Sequence, residues 1–195
     1  AAIIFRGGDR ELLCGGNNVI ANNYIYNAGN KQRCTPVIQL SGAYNYVLNN
    51  EAHMLPFHAL NYGGNENLIA YNEFYDALRD TGDCGVVYTG RQFLTRGTEI
   101  AYNYVHDFKH LDKRTHDNGV GIYLDDRQSG IYVHHNIIYP NGIDSRGNGV
   151  QNGSGMHNTI EYNTVVDAEA PFTLSNRFVE DYNSSSAGTS VINEA

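Results

Sequence analysis

The stretch Glu99-Ile100-Ala101-Tyr102-Asn103-Tyr104-Val105 contains the local pattern that decides the fold. Ile100 precedes Asn103 by three places, and the apolar Val105 follows it by two. The pattern recurs around five other asparagines, which are Asn23, Asn50, Asn72, Asn136 and Asn163. The intervals between successive asparagines are 27, 22, 31, 33 and 27 residues. A constant short core with variable spacing indicates stacked repeats that are joined by loops of different lengths.

This repeat is typical of a parallel β-helix. A helical repeat keeps a nearly fixed period and contains long amphipathic helices, whereas a β-helix keeps its short strands constant and lets its loops vary. We expect each asparagine at a bend between two strands, stacked on the next one roughly 4.8 Å away to form a ladder inside the solenoid. A β-sandwich with Asn-rich hairpins, the alternative, does not explain the sixfold register. The predicted fold is all-β, a parallel β-helix of about seven coils.

The length of the chain suggests one domain, or a piece of one, and we predict a single parallel β-helix domain over residues 1–195. A further strand follows in most coils, at residues 37–40, 59–62, 86–89, 122–125 and 172–175. Ala1-Ala2-Ile3-Ile4-Phe5 begins as if inside a strand, without a polar cap, so we expect a segment of a longer solenoid. Residues 183–195 are expected to form a loop or a frayed end.

Charge and hydropathy disfavour two classes of partner. The 195 residues include 13 Lys and Arg against 21 Asp and Glu, which gives a formal net charge of −8. An acidic chain is a poor ligand for nucleic acid or for an anionic membrane surface, because phosphate contacts need a basic patch. No apolar run approaches the roughly 18 residues of a membrane-spanning helix, and the first ten residues do not resemble a signal peptide.

Two stretches of the middle coils align with each other, GVVYTGRQ at residues 85–92 and GIYLDDRQ at residues 121–128. We expect them to lie on neighbouring coils, so that each residue of one stretch stands over its counterpart in the other. The pairs predicted in this way are Gly85 with Gly121, Thr89 with Asp125 and Arg91 with Arg127. These stretches contain the densest group of carboxylates and guanidiniums in the chain.

Three aspartates, Asp83, Asp125 and Asp126, are the candidate catalytic residues. Asp117 lies at the same kind of corner as Asp83, one coil later. Carboxylates on the same face of adjacent coils would stand roughly 5 Å apart, as in retaining glycosidases. Carboxylates separated by two coils would stand about 9–10 Å apart, as in inverting glycosidases. Asp83 can approach Asp125 only if the corner before Gly85 folds back. The structural alternative is that an aspartate beside a turn caps the backbone.

Five more residues are candidate substrate-binding residues. Arg91 and Arg127 would position sugar hydroxyls or carboxylates, or would instead neutralise the neighbouring acids. Tyr88 and Tyr123, like Tyr62, would stack on sugar rings. His58 is a candidate groove residue because it stands beside the strand at 59–62.

The remaining histidines favour a structural interpretation, and we predict no metal site in them. His53 and His106 share one coil position, three places after the repeated asparagine, with tyrosines at the same position of other coils, Tyr26, Tyr75 and Tyr139. This arrangement predicts stacked surface side chains. His134 and His135 are adjacent, so that within a strand their rings would point to opposite faces and could not share a metal.

Four segments of the middle coils resemble a known family: EAHMLP (51–56), GNENLIAYNE (64–73), TGDCGVVYTGR (81–91) and GIYLDD (121–126). They are similar to bacterial right-handed parallel β-helix proteins of the pectate-lyase-like superfamily. The likeness is greatest to secreted carbohydrate-active members, which include glycoside hydrolases acting on fucosides and xylans. The resemblance extends over about residues 15–175. It implies a right-handed solenoid, a secreted or periplasmic location of the parent protein and polysaccharide substrates. Such hydrolases use two aspartates about forty residues apart, which Asp83 with Asp125 or Asp126 would match.

Three functions are compatible with these residues. In a glycoside hydrolase, which needs no cofactor, one aspartate would act as nucleophile or base and the other as general acid. In a polysaccharide lyase, an arginine or lysine would abstract the proton next to a uronate carboxylate, and Ca²⁺ held by Asp83, Asp125 and Asp126 would neutralise that carboxylate. In a glycan-binding solenoid, the same groove would bind a polysaccharide without catalysis. The hydrolase is the favoured hypothesis.

Overall fold

The computed structural model describes residues 1–32, 34–80, 82–108, 119–141 and 147–175. In these ranges the chain forms twenty β-strands and no helix, and the strands build three sheets. Sheet 1 contains β1 (Ile3–Asp9), β2 (Cys14–Gly15), β5 (Ile38–Ala43), β8 (Leu60–Asn65), β11 (Gly85–Gly90), β14 (Val120–Asp125), β17 (Asn148–Gly153) and β20 (Phe172–Ser175). Within the same ranges, no helix is present that could cross a membrane.

The other two sheets have six strands each. Sheet 2 contains β3 (Val19–Ala21), β6 (Tyr46–Leu48), β9 (Leu68–Ala70), β12 (Thr98–Ala101), β15 (Ile131–His134) and β18 (Thr159–Glu161). Sheet 3 contains β4 (Tyr24–Tyr26), β7 (Glu51–His53), β10 (Glu73–Tyr75), β13 (Tyr104–His106), β16 (Ile137–Tyr139) and β19 (Thr164–Val165). The predicted strands after the asparagine repeat all exist in sheet 1, and β17 is a strand that the sequence prediction missed.

The chain passes repeatedly from sheet 1 to sheet 2, to sheet 3 and back to sheet 1, as in a β-solenoid. Neighbouring strands pair in parallel, except that β2 forms an antiparallel hairpin with β1. The aliphatic residues of the repeat are register partners on successive coils: Ile20, Val47, Ile69, Ile100, Val133 and Ile160. All but the last of them are buried, so the repeat forms one continuous hydrophobic column.

The predicted asparagine ladder is confirmed. Asn103 Nδ2 donates to Asn136 Oδ1 and to the carbonyl oxygen of Ile69, both at 2.9 Å. Asn103 Oδ1 in turn accepts from Nδ2 and the backbone N–H of Asn72 at 2.9 and 3.0 Å. Amide-to-amide bonds of this kind link all six asparagines, Asn23, Asn50, Asn72, Asn103, Asn136 and Asn163. The ladder therefore provides hydrogen-bond partners for backbone groups at the bend between sheets 2 and 3.

A second ladder at the bend between sheets 1 and 2 was not predicted. Asn18 Nδ2 donates to Asn45 Oδ1 at 3.2 Å, and Asn45 Nδ2 donates to Asn67 Oδ1 at 3.3 Å. The backbone N–H of Asn67 donates to Thr98 Oγ1 at 3.3 Å. Each of these residues stands five places before a residue of the first ladder. That constant offset was the sequence signal that could have revealed them.

Four of the five histidine and tyrosine positions predicted to stack on sheet 3 do so, namely Tyr26, His53, Tyr75 and His106. Centroid distances are 5.8 Å between the rings of Tyr26 and His53, 4.7 Å between His53 and Tyr75, and 4.8 Å between Tyr75 and His106. The three ring pairs are close to parallel, with interplanar angles of 16°, 2° and 8°. Neighbouring rings therefore cover each other's faces and leave mainly their edges to solvent.

The prediction for His134 and His135 was wrong. His134 ends β15, and His135 has a positive φ of 52°, so the backbone turns between them instead of continuing as a strand. Their Nδ1 atoms consequently lie 2.7 Å apart instead of on opposite faces. Residues 183–195 and Asp117 lie outside the described residues.

Candidate functional site

An open groove of about 320 Å³ lies where β11 and β14 of sheet 1 end. Arg91, Phe93, Asp126 and Arg127 line it. Arg91 follows the last residue of β11, and Asp126 follows Asp125, the last residue of β14. Two neighbouring coils thus contribute a carboxylate, two guanidiniums and an aromatic ring to one place.

A strained turn presents two of these side chains. Asp126 and Arg127 have positive φ angles of 37° and 65°, and the N–H of Gln128 donates to the carbonyl oxygen of Asp125 at 3.0 Å. This combination is that of a two-residue turn of type I′, which favours Asn and Gly at its central positions. A long side chain such as that of Arg127 is disfavoured there by about 1 kcal/mol. The turn therefore carries two groove residues at a cost in backbone energy.

Asp125 is held from two directions. Its side chain lies on sheet 1 next to that of Tyr88, and the residue is only 4% exposed. The Tyr88 hydroxyl donates to Oδ2 at 2.8 Å, and the backbone N–H of Asp126 donates to Oδ1 at 2.9 Å. Both carboxylate oxygens thus have a donor, and the carboxylate has a defined orientation.

Asp126 has a different environment from Asp125. Its Oδ2 accepts from Arg91 Nε at 3.1 Å, and the N–H of Arg91 donates to its carbonyl oxygen at 3.0 Å. The contact with Asp126 raises the pKa of the Arg91 guanidinium, which therefore remains charged. The Arg91 side chain is 82% exposed, so the ion pair lies at the open side of the groove.

Two aromatic rings pack against Tyr88, the residue whose hydroxyl contacts the Asp125 carboxylate. The ring of His58 stacks on Tyr88 at 4.5 Å with an interplanar angle of 11°, and Tyr123 meets Tyr88 edge-on at 5.6 Å. His58 and Tyr123 are each 2% exposed. Tyr62, the third predicted stacking residue, belongs to the hydrophobic core inside the solenoid. Of the predicted aromatic sugar platforms, only Tyr88 is partly accessible.

His58 is a buried, neutral histidine. Burial lowers its pKa to about 4, although a hydrogen bond to the carbonyl oxygen of Gly85 opposes that change. Nδ1 lies 2.6 Å from this oxygen. A carbonyl oxygen only accepts, so Nδ1 carries the proton and Nε2 has the free electron pair.

The alignment predicted between the two stretches was wrong by one residue. Gly85 pairs with Val120 instead of Gly121, and Tyr88 pairs with Tyr123. Thr89 stands next to Leu124, and Gly90 stands next to Asp125. Accordingly Arg91 stands over Asp126 and not over Arg127. The matching letters of the two stretches suggested one register, but the strands pair in another, which is set by their hydrogen bonds and by the burial of their side chains.

Asp83 does not join this group. It precedes β11 and is exposed, while Asp125 is the last residue of β14. Gly85 is level with Val120, five residues before Asp125, so about 16 Å of strand separates the two levels. The structure thus brings together Asp125, Asp126, Arg91 and Arg127 with Tyr88, His58 and Tyr123 behind them, and it leaves Asp83 near the other end of the strand pair. In the described ranges, no three His, Cys, Asp or Glu side chains are grouped as metal ligands.

Two residues next to Arg91, Gln92 and Phe93, were not predicted as site residues. Phe93 is a groove aromatic and is 46% exposed. Gln92 Oε1 accepts from Arg10 Nη1 at 3.1 Å and from the N–H of Gly64 at 2.9 Å, which ties the hairpin of β1 and β2 to this edge of sheet 1. The position of Phe93, directly after the aligned stretch, was the available signal for its role.

No protein-family model matches the chain, and neither a curated protein nor a solved structure is significantly similar to it.

Proposed function

We propose that this chain is a right-handed parallel β-helix of the pectate-lyase-like kind, with about seven coils, and that it acts on polysaccharides outside the cytoplasm. Two observations support the fold, the parallel sheets and the stacked asparagines. The right-handed form is proposed because crossovers between parallel strands are generally right-handed. The extracytoplasmic location and the polysaccharide substrate rest on the family resemblance. The groove at the ends of β11 and β14 is open to solvent, as the binding of a polymer requires.

The reaction that the site supports best is glycoside hydrolysis by Asp125 and Asp126. The observation that carries this proposal is the presence of two consecutive carboxylates in different surroundings, one of which lines the groove. Asp126 lines the groove and is paired with Arg91, whereas Asp125 is buried and fixed by Tyr88. Glycosidases require two carboxyl groups with separate roles at the scissile bond.

The other groove residues have roles that follow from their chemistry. Arg91 and Arg127 donate hydrogen bonds from rigid, permanently charged groups to sugar oxygens. Phe93 offers a partly exposed ring on which an apolar sugar face can stack. In hydrolysis one carboxyl protonates the glycosidic oxygen while water is added at the anomeric carbon, directly or through a glycosyl-enzyme intermediate.

Product analysis tests the reaction. The protein is incubated with a panel of xylans, fucose-containing glycans and polyuronates. A hydrolase produces new reducing ends without ultraviolet absorbance, whereas a lyase produces an unsaturated sugar that absorbs. Asp126→Asn and Asp125→Asn should each reduce hydrolysis by at least about a hundredfold. Asp83→Asn is the matched control and should retain activity, because Asp83 lies near the other end of the strand pair. Full activity of both groove variants would refute the proposal.

A polysaccharide lyase is the second candidate, and the two guanidiniums in the groove favour it. Arg127 in its neutral form would then remove the proton next to a uronate carboxylate, whereas Arg91, whose pKa is raised by Asp126, would bind that carboxylate. Asp83 lies too far along the strand pair to complete a Ca²⁺ site with Asp125 and Asp126, so this version would need a different cation arrangement from the one expected from the sequence. A protein that binds a glycan but forms neither product would instead be a binding solenoid.

A further inference from the structure

Tyr88 is poorly placed to stack on a sugar. The ring of His58 covers it in nearly parallel orientation, with 4.5 Å between the centroids. Tyr123 approaches it at 89°, with 5.6 Å between the centroids. Since His58 and Tyr123 are themselves buried, these two contacts fix the ring of Tyr88 in place. Its role must therefore come from its hydroxyl group.

That hydroxyl is a permanent donor to Asp125. It lies 2.8 Å from Asp125 Oδ2. Burial and the hydrogen bond to Asp125 raise the pKa of the Tyr88 phenol above its ordinary value. The phenol therefore stays protonated throughout the pH range in which the protein would work, and its O–H donates a hydrogen bond to the carboxylate.

The second oxygen of Asp125 connects this bond to the groove. Oδ1 accepts from the backbone N–H of Asp126 at 2.9 Å. Asp126 is the first central residue of the strained turn that carries the groove side chains. A carboxylate fixed at Oδ2 by Tyr88 can hold this N–H at Oδ1. Without the hydroxyl, the carboxylate could rotate about its Cβ–Cγ bond and release the Asp126 N–H.

We infer that Tyr88 is a positioning residue, which orients the Asp125 carboxylate and through it the turn that presents Asp126 and Arg127. His58 and Tyr123 support it by fixing the plane of its ring. The expected loss of activity in a Tyr88 variant rests on the proposed hydrolase function. The orientation of Asp125 by Tyr88 does not, because it follows from the hydrogen bonds alone.

The chain offers a matched control on another face of the solenoid. Tyr75 also stacks on a histidine, His53, at 4.7 Å, and its hydroxyl also donates to a carboxylate oxygen, Glu51 Oε1, at 2.8 Å. Tyr75 belongs to sheet 3, whereas Tyr88 belongs to sheet 1. Tyr75→Phe thus removes the same kind of bond as Tyr88→Phe without touching the groove.

The kinetic test compares the two variants on whichever glycan the wild type cleaves. Tyr88→Phe should lower kcat by about tenfold or more and change KM by less than about threefold, because a misoriented carboxylate impairs the reaction more than it impairs binding. Tyr75→Phe should leave both constants within about twofold of the wild type. Equal constants for Tyr88→Phe and Tyr75→Phe would overturn the inference.

A second measurement applies even to a protein without hydrolase activity. Native-state hydrogen exchange by NMR should show the Asp126 amide exchanging at least about tenfold faster in Tyr88→Phe than in the wild type, and unchanged in Tyr75→Phe. Absence of any product from the wild type, together with this exchange pattern, would reject the hydrolase but keep the positioning role. Unchanged exchange of Asp126 in Tyr88→Phe would reject the positioning role, whatever the activity.

Discussion

His58 should make the stability of the protein depend on pH in mildly acidic solution. Its pKa is about 4 in the folded chain, against 6.5 for an unperturbed imidazole, because burial disfavours the charged ring. Between these values the unfolded chain binds a proton at His58 that the folded chain does not bind. The free energy of unfolding therefore falls as the pH falls from about 6.5 to about 4, and this histidine accounts for about 3 kcal/mol of the loss.

The measurement is urea denaturation of the wild type and of His58→Asn at pH 7.5, 5.5 and 4.5. Asparagine keeps a donor near the carbonyl oxygen of Gly85 but does not titrate. Groups common to both proteins cancel in the difference between their free energies of unfolding, so the difference reports His58 alone. We expect the wild type to lose its advantage over His58→Asn steadily as the pH is lowered.

A difference that stays constant between pH 7.5 and 4.5 would refute the reasoning. It would mean that the folded chain protonates His58 as readily as the unfolded chain does, and hence that the ring is not buried against Tyr88. A difference that grows on acidification would show that the imidazolium is stabilised in the fold, which contradicts a neutral ring donating through Nδ1.

Three further outcomes follow from the structure. Asn103→Leu should lower the free energy of unfolding by at least about 3 kcal/mol in chemical denaturation, because it leaves several buried groups of the ladder without partners; Asn163→Leu, on a partly exposed rung, should cost less. Replacing Asp126 and Arg127 by Asn and Gly should raise the midpoint of thermal denaturation by about 3 °C, because this pair suits the turn, while groove function is lost; an unchanged or lower midpoint would show that the turn is not strained. Gly64→Ala should destabilise the chain by at least about 3 kcal/mol in chemical denaturation, since Gly64 has a φ of 104° and a Cβ there would press against the carbonyl oxygen of Gly42; a loss below about 1 kcal/mol would show that the strands can separate at this point.

The repeat could be read from the sequence because each of its positions has one structural role. The aliphatic residue before Asn103 faces the core, and the asparagine has to satisfy backbone groups at a bend, so both are restricted on every coil. The second ladder escaped prediction because its position tolerates more residues. Thr98 replaces asparagine on one coil, and Ile131 occupies the same place on the next, which hides the offset of five residues from a search for identical letters.

The candidate site was harder to predict, because it depends on registers and turns that the repeat does not determine. The stretches beginning at Gly85 and Gly121 have similar letters, but their strands pair with a shift of one residue. Side chains alternate between the faces of a sheet, so this shift decides which residue adjoins Asp125. With the alignment expected from the letters, Thr89 would be level with Asp125. In the structure Gly90 is level with it, and Tyr88, two residues earlier on the same strand, donates to its carboxylate.

That shift also changes the chemistry available to the site. In the register expected from the letters, Tyr88 would be level with Leu124 and Arg91 with Arg127. The observed register instead makes the tyrosine hydroxyl a donor to the carboxylate and pairs Arg91 with Asp126 across the coils. The groove is then left with Phe93 as its aromatic surface. In this solenoid the asparagine ladders fix the position of each coil. A shift of one residue in the pairing of β11 with β14 then decides which side chains form the site.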